Sequence, residues 1–358
     1  MRSEVITRRL LSSASLYYVL RRRRYANTGA KKEIAAGRTR FYRDVWDEAV
    51  LAAGGGTVTE LDGAVLEIRC GDVVLRTRTN LTSLDDPLTV SVAENKPLVY
   101  RLLGERDIPV PRHRSCSADD LRSAWAFAVS LGRPCIVKPA RNTSGAIGIT
   151  SAIGTRYEMA RALTYAGAFD DELSIEEHVE GGVYRLLYLD GELLDAVLRL
   201  PPTVRGDGKA SIERLIAVEN ERRLQGGMEV SQSLLKVDLE LRLALRRQGC
   251  SLRSVPRAGQ VVRLKNIVND NCRDDNESAV GRLCPEVVAA GVKAAAAVGA
   301  RLAGVDLITP DPAVPLDVAG GVVIEVNTAP GYYYHYMKRD GRVPVASLLL
   351  QRLVRAAP

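Results

Sequence analysis

Long apolar runs and metal-binding cysteine patterns are both missing from this sequence. No apolar run approaches the roughly 20 residues that a membrane-spanning helix needs, so we expect no membrane function. The six cysteines are scattered without a CxxC pair, and the three histidines stand in no ligand-like spacing with them, which argues against a zinc site. Free thiols in a reducing compartment are the simplest interpretation, so we expect a cytoplasmic protein.

Two common phosphate-binding motifs are missing as well. Neither GxxxxGK[ST] nor GxGxxG occurs, which excludes a P-loop and a Rossmann fingerprint. The sequence also contains no hydrolase-like signature around a nucleophilic serine or cysteine. Any phosphate chemistry must therefore depend on a different arrangement of residues.

The positive charge is confined to one end of the chain. Residues 1–43 hold twelve Lys or Arg and two acids, a net charge of +10, so the other residues carry −3 of the total of +7. The body of the protein is therefore no polycation, and we expect it to bind no nucleic acid.

An apolar stretch at residues 10–20 is too short and too interrupted by serines for an export signal. Its flanking arginines form a solvated face or frayed arm, or alternatively contact a polyanion or membrane surface.

Local patterns predict a mixed α and β chain without internal repeats. At 358 residues the chain is long for one core, so we expect several subdomains. Asp190–Gly191 and Gly71–Asp72 predict hairpins between alternating apolar segments. Capping residues predict helix starts at Asn95 and Ser117, and the glycine-rich loop at 206–208 predicts a helix that opens near Ser211.

Three polar residues interrupt two apolar strands near the C-terminus. Glu325 and Asn327 are two apart in VVIEVN, so they project from one face of a strand, and Asp306 lies in the apolar run AGVDLI. Polar groups on a buried strand are costly unless something satisfies them, and Mg²⁺ takes oxygen ligands. The three residues therefore predict a metal shell that holds a nucleotide's phosphates. The alternative is that these polar residues simply interrupt two strands and bind no ligand.

Lys138 and a glycine-rich loop predict a phosphate contact. Lys138 ends the apolar strand RPCIVKPA and precedes the loop ARNTSGAIGIT. An ammonium group beside exposed backbone N–H groups suits a polyphosphate, although lysines at strand ends are usually just solvated. Further along, Glu176 and Val179 lie on a strand that runs into Gly181–Gly182, a break that exposes backbone groups to an adenine edge.

Taken in order, the segments from about residue 90 to 340 resemble the ATP-grasp carboxylate–amine ligases. The segments are ENKPLVYRLLGERDIPVP, IVKPA, RLLYLDGELLDAVLRLPPTVRGDGKASIERLI, GVDLI and IEVNTAPGYYYH. The VxGDGK loop followed by an SIxxLI helix is typical of the branch that includes cyanophycin synthetase and bifunctional glutathione synthetase. The resemblance implies an α/β (α+β) chain with the ATP-grasp fold, in which a nucleotide is held between two α/β subdomains. We expect a basic arm and small α/β leading domain at 1–92, and ATP-grasp subdomains at 93–180 and 181–358.

The resemblance also implies a role for each matching position. The phosphates would be contacted by two lysines and the glycine-rich loop, and the adenine by the strand before Gly181. The implied ATP-binding residues are Lys96, Lys138, Asn142, Ser144, Gly145, Gly148, Glu176 and Val179. The implied ligands for Mg²⁺, or alternatively Mn²⁺, are Asp306, Glu325 and Asn327. Arg185 and Arg199 match catalytic arginines near the reacting carboxylate or transferred phosphoryl group, with a surface ion pair as the alternative for each.

The implied reaction joins a small-molecule carboxylate to an amine. ATP phosphorylates the carboxylate, and the amine then displaces phosphate from the acyl phosphate to give an amide, with amino-acid-like compounds as the expected substrates. A γ-glutamyl or glutathione-type ligase is one alternative, and a catalytically inactive ATP-binding regulatory protein of the same fold is another. The oligomeric state is left open, with a homodimer as one arrangement.

At several positions the sequence differs from the pattern of the ATP-grasp ligases that it resembles. Val183 replaces an acid that contacts the ribose, Tyr333 replaces an arginine, and Asn269 is followed by DNCRDDNE instead of a Thr-Gly-Gly loop. Val183 bears on how the nucleotide is bound, whereas the loops at Asn269 and Tyr333 are implied to lie near the substrate, so we expect a substrate other than that of cyanophycin synthetase. No Mur-ligase-like region follows in this sequence, so a stand-alone ligase is expected rather than a polymerase with two active sites. The tyrosines and histidine of Pro330–His335 are expected just past the metal, where the amine arrives.

Overall fold

The protein is represented by a computed structural model that describes residues 29–141 and 146–357. The predictions for the arginine-rich segment before residue 29, and those for Asn142, Ser144 and Gly145, lie outside the described residues. None of the described helices is long and apolar enough to cross a membrane.

Strands and helices are interspersed along the described chain, and every strand pairing in it is antiparallel. The strands are β1 (Thr57–Asp62), β2 (Val65–Cys70), β3 (Val73–Arg78), β4 (Leu81–Thr82), β5 (His113–Ser117), β6 (Cys135–Pro139), β7 (Thr150–Ile153), β8 (Glu172–Glu177), β9 (Gly182–Leu189), β10 (Glu192–Arg199), β11 (Thr203–Arg205), β12 (Val261–Arg263), β13 (Asn276–Ser278), β14 (Leu302–Thr309) and β15 (Val322–Asn327). The helices are α1 (Gly29–Ala52), α2 (Pro87–Ala93), α3 (Lys96–Gly104), α4 (Leu121–Leu131), α5 (Arg156–Ala166), α6 (Ile212–Val230), α7 (Leu239–Arg247), α8 (Pro285–Val298), α9 (Leu316–Ala319), α10 (Tyr333–Tyr336) and α11 (Val345–Ala356).

The central sheet has the strand order β13-β10-β9-β14-β15 and is covered on both faces. Successive side chains of a strand point to opposite faces. Accordingly Leu186 and Tyr188 of β9 join one apolar core with α3 and α8, whereas Leu187 and Leu189 join another with α1 and α11. The hairpin predicted at Asp190–Gly191 connects β9 to β10 and is confirmed, with both turn residues at positive φ.

A second sheet, the side sheet, has the order β5-β8-β6-β7 and packs against α4 and α5. Two smaller units complete the described chain. The N-terminal sheet β1-β2-β3-β4 contains the hairpin predicted at Gly71–Asp72, and β11-β12 packs with α6 and α7 around a core of its own. The mixed α+β architecture predicted from the sequence is confirmed, while the three domain boundaries stay a prediction.

The predicted cap at Asn95 and the predicted helix start near Ser211 are confirmed. Asn95 accepts a hydrogen bond from the N–H of Leu98 at the start of α3, and Ser211 accepts one from Arg214 at the start of α6. The prediction that Ser117 caps a helix starting at residue 118 was wrong. Ser117 ends β5, and α4 begins after Asp120, whose carboxylate accepts from the N–H of Ser123. Aspartate caps a helix as well as serine does, so either residue satisfies the local rule.

Candidate active site

A cleft of about 1330 Å³ is lined by residues of both the side sheet and the central sheet. Nine of the predicted site residues line it together: Lys96, Lys138, Glu176, Val179, Arg185, Arg199, Asp306, Glu325 and Asn327. They come from eight different strands, helices or loops, so the fold gathers residues that are far apart in the sequence.

One row of charges crosses three neighbouring strands of the central sheet. Arg185 of β9 is directly opposite Asp306 of β14, and Asp306 is directly opposite Glu325 of β15. Directly opposed residues of an antiparallel pair share a face with Cβ atoms about 5 Å apart. Asn327 follows on the same face of β15, so the two carboxylates and the amide lie together as predicted.

Arg185 and Asp306 form a buried, two-pronged ion pair. The Nε and Nη2 atoms of Arg185 donate to the two carboxylate oxygens of Asp306, the latter at 2.6 Å. Burial on its own would lower the pKa of Arg185, but the negative charge of Asp306 outweighs burial and raises it. The guanidinium is therefore permanently charged and held in one orientation.

Lys96, the first residue of α3, pairs with the neighbouring carboxylate. Its Nζ lies 3.2 Å from Oε1 of Glu325, whose side chain remains partly exposed to the cleft. Burial opposes ionisation of Glu325, but Lys96, Arg185 and Lys138 together lower the pKa of this carboxyl. Glu325 is consequently an anionic oxygen donor that faces the cleft.

Lys138 forms a second buried cluster across the side sheet. Its Nζ is 2.8 Å from Oε1 of Glu176 and donates to the hydroxyl of Tyr100 at 3.0 Å. The Tyr100 hydroxyl also lies 3.1 Å from Oε2 of Glu176 and 3.0 Å from the backbone oxygen of Ile324 on β15, and its single proton is shared between these two acceptors. The Tyr100 hydroxyl thus connects Lys138 of the side sheet with β15 of the central sheet.

Arg199 is the buried cation of this group that pairs with no carboxylate among the described residues. Its Nη2 donates to the backbone oxygen of Val268 and, at 3.3 Å, to Oδ1 of Asn271. Its guanidinium carbon lies 4.0 Å from the ring centroid of Tyr334. The Nε atom is buried without a hydrogen-bond partner in the described chain, so an uncompensated charge and an unused donor are present at the cleft wall.

The oxygen donors in the cleft suit a hard divalent cation. Two carboxylates and an amide oxygen are the ligand type that Mg²⁺ or Mn²⁺ takes. Within the described residues, no group of three or more His, Cys, Asp or Glu is arranged to hold a metal. A cation here would therefore use Asp306, Glu325 and the amide oxygen of Asn327, with its other ligands from phosphate or water.

Gly148 lies just outside the cleft wall and shapes it. Its φ is +81°, and a Cβ at this position would stand 2.7 Å from Cγ of Pro139 and 2.9 Å from the ring of Phe169. Both the backbone conformation and the close approach therefore require glycine. Gly148 packs against Pro139, the residue that follows Lys138 at the end of β6. Strand β7 begins two residues later, at Thr150.

Comparison with known proteins agrees with this architecture. No protein-family model matches the chain. A cyanophycin synthetase from Geminocystis herdmanii is 30% identical over 282 residues, which cover 78% of this chain and 32% of that protein. The bifunctional glutathione biosynthesis protein of Pasteurella multocida is 30% identical over 271 residues, covering 74% of this chain and 35% of its own length. The crystal structure of a bifunctional glutathione synthetase from Pasteurella multocida matches with a TM-score of 0.54 at 26% identity, over 85% of this chain and 42% of that one. The fold is the ATP-grasp fold.

The resemblance predicted from the sequence is thereby confirmed, for the part of the relatives that the chain covers. The chain spans about a third of the length of the curated relatives that it matches. The cleft between the side sheet and the central sheet contains the residues that the sequence predicts for nucleotide binding.

The prediction that all of the tyrosines and His335 after β15 face the ATP-grasp cleft was wrong. Tyr332 and Tyr333 are fully buried and turn away from the cleft against the aromatic side chains of α1. His335 is also buried, with its Nδ1 2.8 Å from Oδ2 of Asp195. Tyr334 is the member of the group that lines the cleft.

Sequence reasoning missed several residues that line the cleft or support its wall. Tyr100 stands four positions after Lys96 on α3, and this helical spacing was an available signal. Asn80 and Leu81 of the N-terminal sheet also line the cleft, and the Asn80 amide donates to the backbone oxygen of Ala329. No local pattern indicated that contribution, because it depends on how the first sheet packs against a loop 249 residues away.

Proposed function

We propose that this chain is an ATP-dependent carboxylate–amine ligase. A carboxylate substrate takes the γ-phosphoryl group of ATP to form an acyl phosphate and ADP, and an amine displaces phosphate to form an amide. The observation that carries the proposal is Arg199, a buried guanidinium without an anionic partner in the described chain, beside the charged row of Arg185, Asp306 and Glu325. A substrate carboxylate or phosphoryl group would supply the missing anion.

The chain's own residues have distinct tasks in this proposal. Lys96 and Lys138 contact the phosphates of ATP. The carboxylate of Glu176 is engaged by Lys138, Tyr100 and Ser174, which favours the main chain around Val179 for the adenine. Arg185 and Arg199 stabilise charge that spreads over the transferred group, and positioning provides most of the acceleration in phosphoryl transfer.

A divalent cation held by Asp306, Glu325 and Asn327 would neutralise phosphate charge when bound. Among the described residues, four cations (Lys96, Lys138, Arg185, Arg199) face three carboxylates (Glu176, Asp306, Glu325) around this part of the cleft. That near balance leaves the site able to accept an anionic nucleotide together with its cation.

For the two substrates, the proposal names a chemical class rather than individual compounds. We infer small amino-acid-like carboxylates and amines, since the curated relatives are named cyanophycin synthetase and glutathione biosynthesis protein. A γ-glutamyl or glutathione-type ligase fits the same relatives. The sequence differences at Asn269 and Tyr333 support a substrate other than that of cyanophycin synthetase.

ADP formation tests the proposal directly. The protein is incubated with ATP, Mg²⁺ and pools of amino acids and small peptides, and products are identified by mass spectrometry. We expect one carboxylate–amine pair to stimulate ADP release and to give an amide product. ATP binding without stimulation by any pair would instead support a nucleotide-binding protein without catalysis.

Glu325→Ala tests the metal assignment. This change should abolish turnover while the circular dichroism spectrum stays that of the wild type. Glu192→Ala is the control, because Glu192 pairs with Arg352 at the exposed hairpin end of β10 and does not line the cleft. Full turnover by Glu325→Ala would overturn the assignment.

A further inference from the structure

Glu240, in the first turn of α7, is a fully buried carboxylate outside the residues assigned above. It forms no ion pair with any described residue, although burying an unpaired carboxylate is costly. Burial raises the pKa of Glu240 despite the hydrogen bonds that oppose the shift. A buried carboxyl group held by hydrogen bonds alone calls for an account of what those bonds hold together.

The hydrogen bonds of Glu240 join two separate parts of the cleft wall. Oε2 accepts from the backbone N–H of Ser151 at 2.7 Å, and Oε1 accepts from the Ser151 hydroxyl at 2.7 Å. Oε1 also accepts from the backbone N–H of Asn266 at 3.1 Å. The Asn266 amide donates to the Ser151 hydroxyl at 3.3 Å, which closes the link. Both Ser151 and Asn266 line the cleft.

Ser151 belongs to the side of the cleft that holds Lys138. It lies on β7, whose neighbour Thr150 is paired with Val137 of β6, the residue before Lys138. The backbone just before β7, at Ala146 and Ile149, lines the same cleft. The position of Ser151 is therefore tied to the wall that would receive the phosphates.

Asn266 begins the segment that holds Arg199. Residues 266–271 supply the backbone oxygen of Val268 and the side chain of Asn271 to that guanidinium. The far end of the segment is anchored by Asp270, which is fully buried and accepts from Lys265 at 2.6 Å. Lys265 also donates to Asp238, the N-cap of α7, so the start of this helix holds both ends of the segment.

We propose that Glu240 is a positioning residue that couples the phosphate-binding wall at Ser151 to the Arg199 segment. An ATP molecule that orders β7 thereby also orders residues 266–271 and sets the orientation of Arg199 for the carboxylate. This coupling rests on the proposed function. It gives Glu240 a role in the second substrate's site without contact with either substrate.

Hydrogen–deuterium exchange on Glu240→Gln tests the coupling. Glutamine keeps the side-chain shape, but its amide group cannot accept at both positions where backbone N–H groups now donate. In the wild type, ATP with Mg²⁺ should slow exchange both at residues 150–153 and at residues 264–271. In Glu240→Gln we expect slowing at 150–153 alone, with about tenfold weaker ATP binding, the scale of one lost charged hydrogen bond.

Glu67→Gln is the matched control. Glu67 is likewise a buried glutamate, but it pairs with Arg69 and Arg76 on the N-terminal sheet and does not line the cleft. Its exchange response to ATP should equal that of the wild type. Ser151→Ala, which removes one donor to Glu240 and leaves the fold intact, should reduce the ATP effect at 264–271 in the same direction, and decides the question if Glu240→Gln fails to fold.

An unchanged ATP effect at 264–271 in both Glu240→Gln and Ser151→Ala would overturn the coupling. That outcome is distinct from failure of the proposed function, which is the absence of ADP formation with every carboxylate–amine pair. Exchange is measured without turnover, so each proposal is decided by its own experiment.

Discussion

The hydroxyl of Tyr42 on α1 accepts a hydrogen bond of 3.1 Å from the backbone N–H of Tyr332, 290 residues later in the chain. Both side chains are buried, and their rings are 5.6 Å apart. Because Tyr332 is two residues before Tyr334, helix α1 fixes the loop that carries the cleft tyrosine. Helix α1 is thus packed against the loop that carries the cleft residue Tyr334.

Tyr42→Phe should loosen that loop. Loss of one hydrogen bond, with the Tyr332 N–H left buried, should lower the free energy of unfolding by about 1–2 kcal/mol. Urea unfolding monitored by circular dichroism measures the loss. Tyr157→Phe is the control, since Tyr157 is exposed on α5 and its change should cost nothing measurable. Equal stability of Tyr42→Phe and the control would contradict the anchoring role.

Asp306→Asn should be far more damaging than loss of a similar ion pair on the surface. It leaves the buried guanidinium of Arg185 without its counter-charge, a change that typically costs about 3–5 kcal/mol. Asp190→Asn is the matched control, because Asp190 also forms a two-pronged pair, with Arg301, but at an exposed position. The control should lose at most about 1 kcal/mol. Similar losses in the two variants by urea unfolding would show that the Arg185–Asp306 pair is not effectively buried.

Tyr334→Phe and Tyr334→Leu separate the roles of the ring and the hydroxyl. The Arg199 guanidinium lies over the Tyr334 ring at 4.0 Å, and such a contact contributes about 1 kcal/mol, or roughly fivefold in affinity. Once a substrate pair is known, Tyr334→Leu should raise the KM for the carboxylate about fivefold by this estimate, and Tyr334→Phe should not. If Phe is as harmful as Leu, the hydroxyl rather than the ring is what matters.

His335 should make the protein less stable in mild acid. Burial lowers the pKa of His335 from its usual 6.5, although Asp195 opposes the shift, and Arg185 and Lys338 add to it. The unfolded chain therefore takes up a proton that the folded protein does not, and stability falls as pH falls through about 6.5, by at most about 1.4 kcal/mol per pH unit for one histidine.

Thermal or urea unfolding between pH 8 and pH 5 measures this effect. His335→Gln should reduce the slope of stability against pH. Burial also lowers the pKa of His178, so the double variant His178→Gln/His335→Gln should reduce the slope further. A slope in His335→Gln as steep as that of the wild type would show that His335 does not contribute.

Much of the local structure could be predicted because it depends on neighbouring residues. The Asp190–Gly191 turn, the cap at Asn95, the helix start near Ser211, and the shared face of Glu325 and Asn327 follow from spacing over two to four positions. The error at Ser117 has the same origin, since the sequence offers Ser117 and Asp120 as competing caps. The resemblance then assembled these pieces in the correct order.

The partners of the charged residues could not be predicted. Arg185 finds Asp306 at a distance of 121 residues along the chain, and Tyr100 finds both Glu176 and Ile324. The direction of the tyrosines after β15 was predicted wrongly for the same reason. Tyr332 and Tyr333 are buried by contacts with aromatic side chains of α1, and no pattern in the neighbouring sequence predicts these contacts.

The sequence by itself determined the turns, caps and strand faces of this chain, and with them the residue types available for phosphate and metal binding. These features depend on residues that are only a few positions apart, so the local sequence is enough to predict them. Only the tertiary structure decided that Arg199 has no carboxylate partner in the described chain, that Tyr334 alone of its group faces the cleft, and that Glu240 joins the two walls. Those outcomes depend on which distant groups share a buried, low-dielectric volume, where every charge must find a partner or remain available for a ligand.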